Sequence, residues 1–314
     1  MFQSILEDVK REFNYGNMVI RIIIINIAVF VVVIIADLIM KIVGGSTADF
    51  VQLFALNSGW KELLFRPWSI ITHMFLHQGL GHIFWNMLIL YWFGRIVGDF
   101  IGNQRVMPIY LLSGLSGAIA YLLIANVIPL LVQPIPPIFQ VGGYALGASA
   151  AVMGMVLAAG VISPDYIMRL LFLGDVKLKY IVGLLILLDL VALTRLQNTG
   201  GSFAHLGGAA MGWLFVRQLR NGVDWAMPIN NILNTIGSIF KKGGLQRSPK
   251  GPKVVYKNPS KKARANVRTN VSVTDEEDLP YQEQLDAILD KIKQRGYDSL
   301  SEKEKKFLFN ASKK

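Results

Sequence analysis

Hydrophobic and polar residues alternate along this chain in long blocks rather than at short intervals. Six apolar runs fall near residues 18–40, 69–93, 106–128, 147–162, 178–194 and 203–219. A bilayer core about 30 Å thick requires roughly 20 apolar residues in a helix, and these runs meet or approach that length. The pattern predicts an all-α polytopic membrane protein with six transmembrane helices and both termini on one side.

Composition agrees with this prediction and narrows the class of protein. Of 314 residues, 53% are hydrophobic and 17% are charged, which is too apolar for a soluble protein. The chain contains no cysteine, which excludes disulfides and thiolate metal sites. Residues 1–17 mix acids and bases with apolar positions, so they predict a short amphipathic helix rather than a cleaved signal peptide.

The distribution of basic residues predicts the orientation, because positive loops stay in the cytoplasm. The uncharged loop 129–146 is expected outside, and Lys61, Arg66 and Arg195 are outnumbered on that side. The loops and segment expected inside carry Arg95, Arg105, Arg169, Lys177, Lys179, Arg217 and Arg220. Both termini are therefore predicted to be cytoplasmic.

The sequence predicts four segments. The first two are an N-terminal segment (1–17) and a membrane domain (18–220), and two more follow the last span. Residues 221–274 read as a flexible basic linker, because positions 241–269 hold ten Lys or Arg and no acid. This charge suits anionic lipid, or simply fixes topology, and we expect no nucleic acid partner. Residues 275–314 predict a cytoplasmic helical hairpin, in which Gly296 ends the first helix and Ser301 with Glu304 forms a capping box.

Several polar residues fall at one depth within the predicted spans. Counted from the charged end of each span, Ser149, His205 and His82 each lie roughly 18–20 Å into the membrane. Asn86 is one turn from His82 on the same helix face. Strongly polar groups are costly inside a bilayer, so their shared level predicts a site or a water-filled cavity.

Nucleophilic acyl transfer requires this combination of groups. A serine hydroxyl is a weak nucleophile until a base such as neutral histidine takes its proton, which assigns Ser149 and His205 to these roles. Free N–H groups at the start of the Ser149 helix, with His82 and Asn86, could stabilise an oxyanion. No acid is evident to orient His205, so a dyad is predicted. Asp189, in the middle of span five, is left with three readings: it orients a catalytic group, bonds a neighbouring helix, or is protonated.

Small residues predict close contact between the two helices that carry the dyad. Span four has Ala150, Gly154 and Ala158 at intervals of four, and span six has Gly208 and Gly212. This spacing allows membrane helices to touch backbone to backbone. Ser149 and His205 would then be neighbours.

Four motifs resemble those of the rhomboid intramembrane serine proteases, over about residues 60–219. They are "GASA" at 147–150, "AHLGGAAMG" at 204–212, "HQGLGHIFWN" at 77–86 and "FRPW" at 65–68. The resemblance is to the bacterial six-span type with a C-terminal extension. It implies Ser149 as nucleophile, His205 as general base, and His82 with Asn86 as oxyanion donors.

The resemblance also implies supporting roles and a substrate class. Arg66 would be structural in the first loop, His77 would support the site by hydrogen bonding, and Gly208 and Gly212 would make helix contacts. The implied substrates are single-pass membrane proteins cut in or near their membrane segment after a small residue. No cofactor or metal is implied, and the implied location is a bacterial inner membrane.

Two positions depart from the family pattern. The usual glycine after the serine is Ala150, whose methyl could crowd the helix top. The usual aromatic four residues after the serine is Met153, which could contact the imidazole more softly.

Three alternatives remain open from sequence, as does the oligomeric state. One is a catalytically silent rhomboid relative that binds membrane clients. A second is a metal-dependent membrane protein using His73, His77 and His82, although no acidic residue or HExxH motif accompanies them. A third is a transporter, which the lack of an internal repeat disfavours.

Overall fold

The fold is described from a computed structural model that covers residues 2–170, 174–196, 198–241, 281–295 and 297–311. Within these residues the chain divides into two compact units, Met1–Gln246 and Arg247–Lys314. The first unit is a helical bundle, and the second is a small helical pair.

Helices dominate the first unit, with short strands only in its loops. The helices are α1 (Phe2–Tyr15), α2 (Met18–Ile42), α3 (Thr47–Gln52), α4 (Trp60–Phe65), α5 (Ser69–Thr72), α6 (Leu80–Ile101), α7 (Val106–Asn126), α8 (Ile128–Leu131), α9 (Ser149–Ile162), α10 (Leu178–Thr194), α11 (Thr199–Arg220) and α12 (Ala226–Lys241). Two antiparallel pairs join β1 (Leu56–Asn57) to β2 (Tyr144–Ala145) and β3 (Ile167–Leu170) to β4 (Gly174–Lys177).

Each of the six predicted spans contains a helix, of 14 to 25 residues. By length and composition, α2 and the helical stretch Asn103–Leu131 could each cross a membrane, and α9 is a shorter apolar helix. Many apolar side chains of α2 and α10 face outwards, as lipid-facing positions do. The all-α prediction is confirmed, and the number of spans stays a prediction.

The predicted start of span two at residue 69 is wrong. Residues 69–72 form α5, residues 73–75 form a 3₁₀ turn, and α6 begins only at Leu80. The chain is extended at Gly79, which is the N-cap of α6. Two glycines in "HQGLGH" favour a break here, whereas hydropathy averaged over a window does not detect it.

The centre of the bundle is formed by backbone contact between α9 and α11. A Cβ placed on Gly208 would overlap the carbonyl oxygen of Ala150, and one on Gly212 would overlap that of Gly154. The third helix of this centre is α7, where Ser116 Oγ donates to Gly207 O at 2.9 Å. The close helix contact predicted from the small residues is confirmed.

A buried hydrogen-bond chain connects α2 to the segment before α6. Asn26 Nδ2 donates to Tyr110 Oη at 3.3 Å, and Tyr110 Oη donates to Met74 O at 2.8 Å. Asn26 and Tyr110 are fully buried. Because buried polar groups are costly unless paired, this chain fixes α2, α7 and the 73–75 turn relative to one another.

One end of the bundle is fixed by charged contacts. Both Arg105 Nε and Nη2 donate to Asp224 Oδ2, at 3.0 and 2.7 Å, and Arg220 Nη2 donates to Val161 O at 2.6 Å. At the β3–β4 hairpin, Lys177 and Lys179 pair with Asp165. Many of the basic residues from which the membrane orientation was predicted take part in these contacts.

The prediction that the linker begins at residue 221 is wrong, because α12 occupies Ala226–Lys241. Its apolar residues Ile229, Ile232, Leu233 and Ile236 recur every three or four positions between asparagines. That spacing forms an amphipathic helix. The predicted linker rested on the basic charge of residues 241–269, which carries no information about residues 226–240. The rest of the predicted linker, 242–274, lies outside the described residues.

The second unit consists of α13 (Tyr281–Arg295) and α14 (Glu302–Ala311), with Ile288 and Leu300 buried. Ser301 N donates to Glu304 Oε2 at 2.6 Å, and Glu304 N donates to Ser301 Oγ at 3.4 Å, which confirms the capping box. Lys291 Nζ also donates to Glu304 Oε1 at 2.6 Å. The hairpin prediction therefore agrees with the structure, and Gly296 itself lies outside the described residues.

We expect Gly212→Ala to destabilise the bundle by about 1–3 kcal/mol, because the new methyl forces α9 and α11 apart. Gly183→Ala on α10 is the matched control, since a Cβ there meets nothing within 4 Å. Unfolding of both variants in mixed micelles measures the difference. Equal stability of the two would contradict the backbone contact.

We expect the α13–α14 pair to lose stability as the pH falls from about 4.5 to about 2. Hydrogen bonding from Lys291 lowers the pKa of Glu304 from its usual 4.5 to about 2, with Ser301 adding to the effect. A carboxylate with a lowered folded-state pKa stabilises the fold above its unfolded pKa, and that contribution disappears through this window. Hydrogen exchange of α14 in the full chain measures it, and Glu304→Gln should remove the pH dependence.

Candidate active site

Ser149 is the first residue of α9, as predicted. The first intrahelical bond runs from Val152 N to Ala148 O at 2.9 Å, so the N–H groups just before Val152 lack intrahelical acceptors. Among the described residues, Ser149 Oγ makes no hydrogen bond to a carbonyl of its own helix, whereas Thr72 Oγ1 bonds Trp68 O. The hydroxyl is therefore free for other partners.

His205 lies in the first two turns of α11 and makes a contact that the sequence analysis did not assign. Its Nδ1 lies 2.7 Å from Asp189 Oδ1 of α10. Both side chains are largely buried, with exposed fractions of 20% for His205 and 15% for Asp189. The sequence showed no evident acid for His205, and the structure places one, Asp189, within hydrogen-bond distance of its ring. Of the three readings of Asp189, the structure supports a bond to the His205 ring.

His82 and Asn86 lie on one face of α6, next to Ser149. A Cβ added to Gly147 would lie 2.9 Å from His82 Nε2 and 3.6 Å from Ser149 Oγ, so both groups adjoin the same point. Asn86 Nδ2 donates one hydrogen to His82 O at 2.8 Å and carries a second. Of the two predicted oxyanion donors, His82 thus adjoins the serine, and Asn86 is bonded to His82 one turn further along α6.

The turn before Ser149 depends on Gly147. Its φ of +126° lies in the region that favours glycine, and its N–H donates to His73 O at 2.9 Å. The ring of His73 is held in turn, because Nδ1 lies 3.0 Å from Ser69 O. His73 therefore supports the site through its backbone.

The four predicted residues share one cavity of about 590 Å³. Ser149, His205, His82 and Asn86 all line it, together with Gln78, Tyr121 and Tyr144. Among the described side chains, Ser149 and His205 make no direct hydrogen bond, which is common for catalytic pairs without substrate. The cavity has both polar and apolar walls, so it suits a peptide and water.

The supporting residues predicted from sequence lie in different places. Arg66 donates from Nη1 to Gln52 O at 3.1 Å, which links two parts of the first loop away from the cavity. His77 is buried and packs edge-on against the His82 ring, with centroids 5.0 Å apart. Its predicted support by hydrogen bonding is not observed, because neither of its ring nitrogens has a hydrogen-bond partner among the described residues. Met153 is buried in the core and is not among the residues that line the cavity, and its contact with the imidazole stays a prediction.

The methyl of Ala150 is accommodated by a glycine on α7. A Cβ on Gly117 would lie 2.5 Å from the Ala150 Cβ and 2.8 Å from Ala204 O. The Ala150 methyl therefore occupies the space that a side chain at position 117 would fill. The crowding expected at this departure is relieved locally.

Sequence reasoning did not identify His205 as the partner of Asp189, and it missed the roles of Gly147 and His73. The depth counts contained a signal for Asp189, since it lies roughly 15 Å and His205 roughly 18 Å from the same membrane border. For Gly147, the only signal was a glycine two residues before a helix start. Nothing in the sequence indicated the backbone role of His73.

The fold and site together define a class of protein: a helical bundle with a serine, a histidine and amide or imidazole donors around a buried cavity. Comparison with known proteins identifies the family. The Rhomboid domain matches residues 64–221, about half of the chain. The chain belongs to the rhomboid family, and it is therefore an integral membrane protein.

Individual relatives are similar at moderate identity. RHOMBOID-like protein 12, mitochondrial, of Arabidopsis thaliana is 30% identical over 49% of this chain and 47% of its own length. Rhomboid protease GluP of Bacillus subtilis is 28% identical over 57% of this chain and 32% of its own length. Inactive RHOMBOID-like protein 8 of Arabidopsis thaliana is 36% identical over 22% of this chain and 20% of its own. The chain thus spans about half or less of these relatives.

The C-terminal unit matches a second family. Residues 275–314 match a family of unknown function, DUF6576. The match coincides with the segment predicted to be a separate hairpin.

We expect Gly147→Ala to reduce labelling of Ser149 by a fluorophosphonate at least about tenfold. The methyl would meet the His82 ring and strain a backbone with positive φ. Gly143→Ala is the control in the same loop, because a Cβ there meets nothing within 4 Å. Labelling is followed by mass spectrometry. Wild-type labelling of Gly147→Ala would contradict the arrangement of Gly147 and His82.

Proposed function

We propose that this protein is an intramembrane serine endopeptidase. The observation that carries the proposal is that Ser149, His205, His82 and Asn86 line one buried cavity, on three different helices. Membership of a family that includes Rhomboid protease GluP supports it.

In the proposed reaction, Ser149 Oγ attacks the scissile carbonyl carbon while His205 Nε2 takes the hydroxyl proton. The tetrahedral oxyanion accepts hydrogen bonds from His82, Asn86 and the free N–H groups of α9. His205 then gives its proton to the leaving amine, and the acyl-enzyme forms. Water, activated by the same histidine, hydrolyses the ester and regenerates Ser149.

The proposed substrates are single-pass membrane proteins, cleaved in or near the transmembrane segment. The cavity lies among helices whose outer surfaces are apolar, so a substrate reaches it from the bilayer or from the loop side. The small side chains of Gly147 and Ala150 beside Ser149 favour a small residue at the cleavage site. No cofactor or metal takes part in the proposed chemistry. The described residues contain no group of three or more His, Cys, Asp or Glu side chains placed to hold a metal ion.

We also propose a bacterial inner membrane location with both termini cytoplasmic. Arg105, Arg220, Lys177 and Lys179 make their contacts at the ends of the helices expected inside. Glycosylation or protease-accessibility tags at each terminus test this orientation.

A catalytically silent rhomboid-like protein that binds membrane clients is the second candidate. Similarity to a relative named inactive favours it, although over only 72 residues. It requires that Ser149 be unreactive despite its place in the cavity.

We expect the purified wild type to cleave members of a panel of tagged single-pass membrane proteins in liposomes, and Ser149→Ala and His205→Ala to cleave none. Loss of the nucleophile or base removes a factor of at least about 10²–10⁴. Ser163→Ala, at the opposite end of α9, is the matched control and should cleave as the wild type does. Absence of both cleavage and fluorophosphonate labelling in the wild type would instead support the silent binder.

A further inference from the structure

We propose that Asp189 is a positioning residue that turns the dyad into a Ser149–His205–Asp189 triad. In this arrangement the Asp189 carboxylate accepts the Nδ1–H of His205, which leaves Nε2 unprotonated and able to take the Ser149 proton. The inference rests on the proposed function for its catalytic meaning, but the state of the His205 ring can be measured independently.

The position of Asp189 is energetically costly without a partner. It is the only charged residue between Lys179 and Arg195, in the apolar helix α10. A carboxylate near the middle of a membrane helix is unfavourable unless it faces a partner or a water-filled cavity. The bond from His205 Nδ1, 2.7 Å long, provides a partner for the charge.

The 2.7 Å contact links the position of the His205 proton to the charge state of Asp189. An ionised carboxylate has no hydrogen to donate, so a 2.7 Å contact with Nδ1 requires an N–H at Nδ1. The neutral ring then has its lone pair at Nε2, which is the form a general base needs. A protonated Asp189 would donate to Nδ1 instead, and the Nε2–H tautomer would be unable to accept the serine proton.

The bond also holds the His205 ring from the α10 side. Met153 occupies the α9 position from which an aromatic ring would hold the histidine, and it does not line the cavity. Asp189 approaches the imidazole from α10 at hydrogen-bond distance. The ring is therefore fixed by a directional bond from its other nitrogen.

A helix-bonding role alone makes a different prediction from a positioning role. Asparagine at 189 retains a hydrogen-bonding group between α10 and α11 but has no charge, and its amide can donate to Nδ1. Structural support is kept, whereas the preference for the Nδ1–H tautomer is lost. Asp189→Asn therefore separates the two roles.

The first test compares kinetics and stability in the full-length protein. We expect Asp189→Asn to melt as the wild type does, with kcat reduced on the order of 10²–10⁴-fold and KM changed less than about threefold. Asp189→Glu, which restores a carboxylate, should recover part of the rate. Leu188→Ala, on the exposed side of α10, is the matched control and should keep the wild-type kcat. A wild-type kcat in Asp189→Asn would overturn the proposal, while loss of activity in Ser149→Ala and His205→Ala would still uphold the protease.

The second test measures the protonation of the two His205 ring nitrogens directly and does not require that the protein cleave a substrate. With ¹⁵N-labelled histidine, and His205→Gln to assign the signal, the wild type should show His205 with a protonated Nδ1 and an unprotonated Nε2. Asp189→Asn should shift this signal towards the other tautomer. An Nε2–H tautomer in the wild type, or a spectrum unchanged in Asp189→Asn, would overturn the proposal even if the protein cleaves nothing.

Discussion

The site depends on one constraint, the backbone contact between α9 and α11. Inside a bilayer, helices gain little from hydrophobic burial and associate mainly through close packing. At Gly208 and Gly212 there is no room even for a methyl group. The first of these contacts lies three residues from His205 and, on the facing helix, next to Ser149. The separation of the nucleophile and base is thus set by touching backbones, which allow very little variation.

A second constraint is a set of hydrogen bonds that fixes the loop residues around Ser149. The N–H of Gly147 donates to the His73 carbonyl. The next carbonyl, that of Met74, accepts a hydrogen bond from Tyr110, whose hydroxyl accepts one from Asn26. Each group in this chain is buried, so breaking any bond would leave an unpaired polar atom. The result is that His82 and Ser149 meet across a turn whose shape is decided by α2 and α7, far along the sequence.

The sequence predicted those parts of the structure that follow from local patterns. Apolar runs identified the helices, the spacing of small residues identified the α9–α11 contact, and the Ser301–Glu304 pair identified a helix start. It could not predict contacts between side chains on different helices. It also could not predict helix boundaries where a property averaged over many residues conceals a local pattern. Hydropathy over a window joined 69–79 to span two, and the linker predicted from the basic charge of 241–269 was extended over α12. The bond between Asp189 and His205 joins two helices, and the hydrophobic period of a helix does not specify how it is rotated relative to its neighbour. The depth of Asp189 in the membrane therefore could not identify its partner.

The helix that carries Asp189 is held differently from the one that carries His205. Among the described residues of α10, only Leu178, Val182 and Leu193 are buried, whereas Leu184, Leu187, Leu188 and Leu190 are exposed. Most of its surface therefore faces lipid, which resists displacement far less than a packed core does. A hydrogen bond of 2.7 Å is lost when its atoms move apart by about 1 Å. If Asp189 sets the tautomer of His205, a substrate that displaces α10 on entry would also release the base, and full activity would require α10 to return before the serine is attacked.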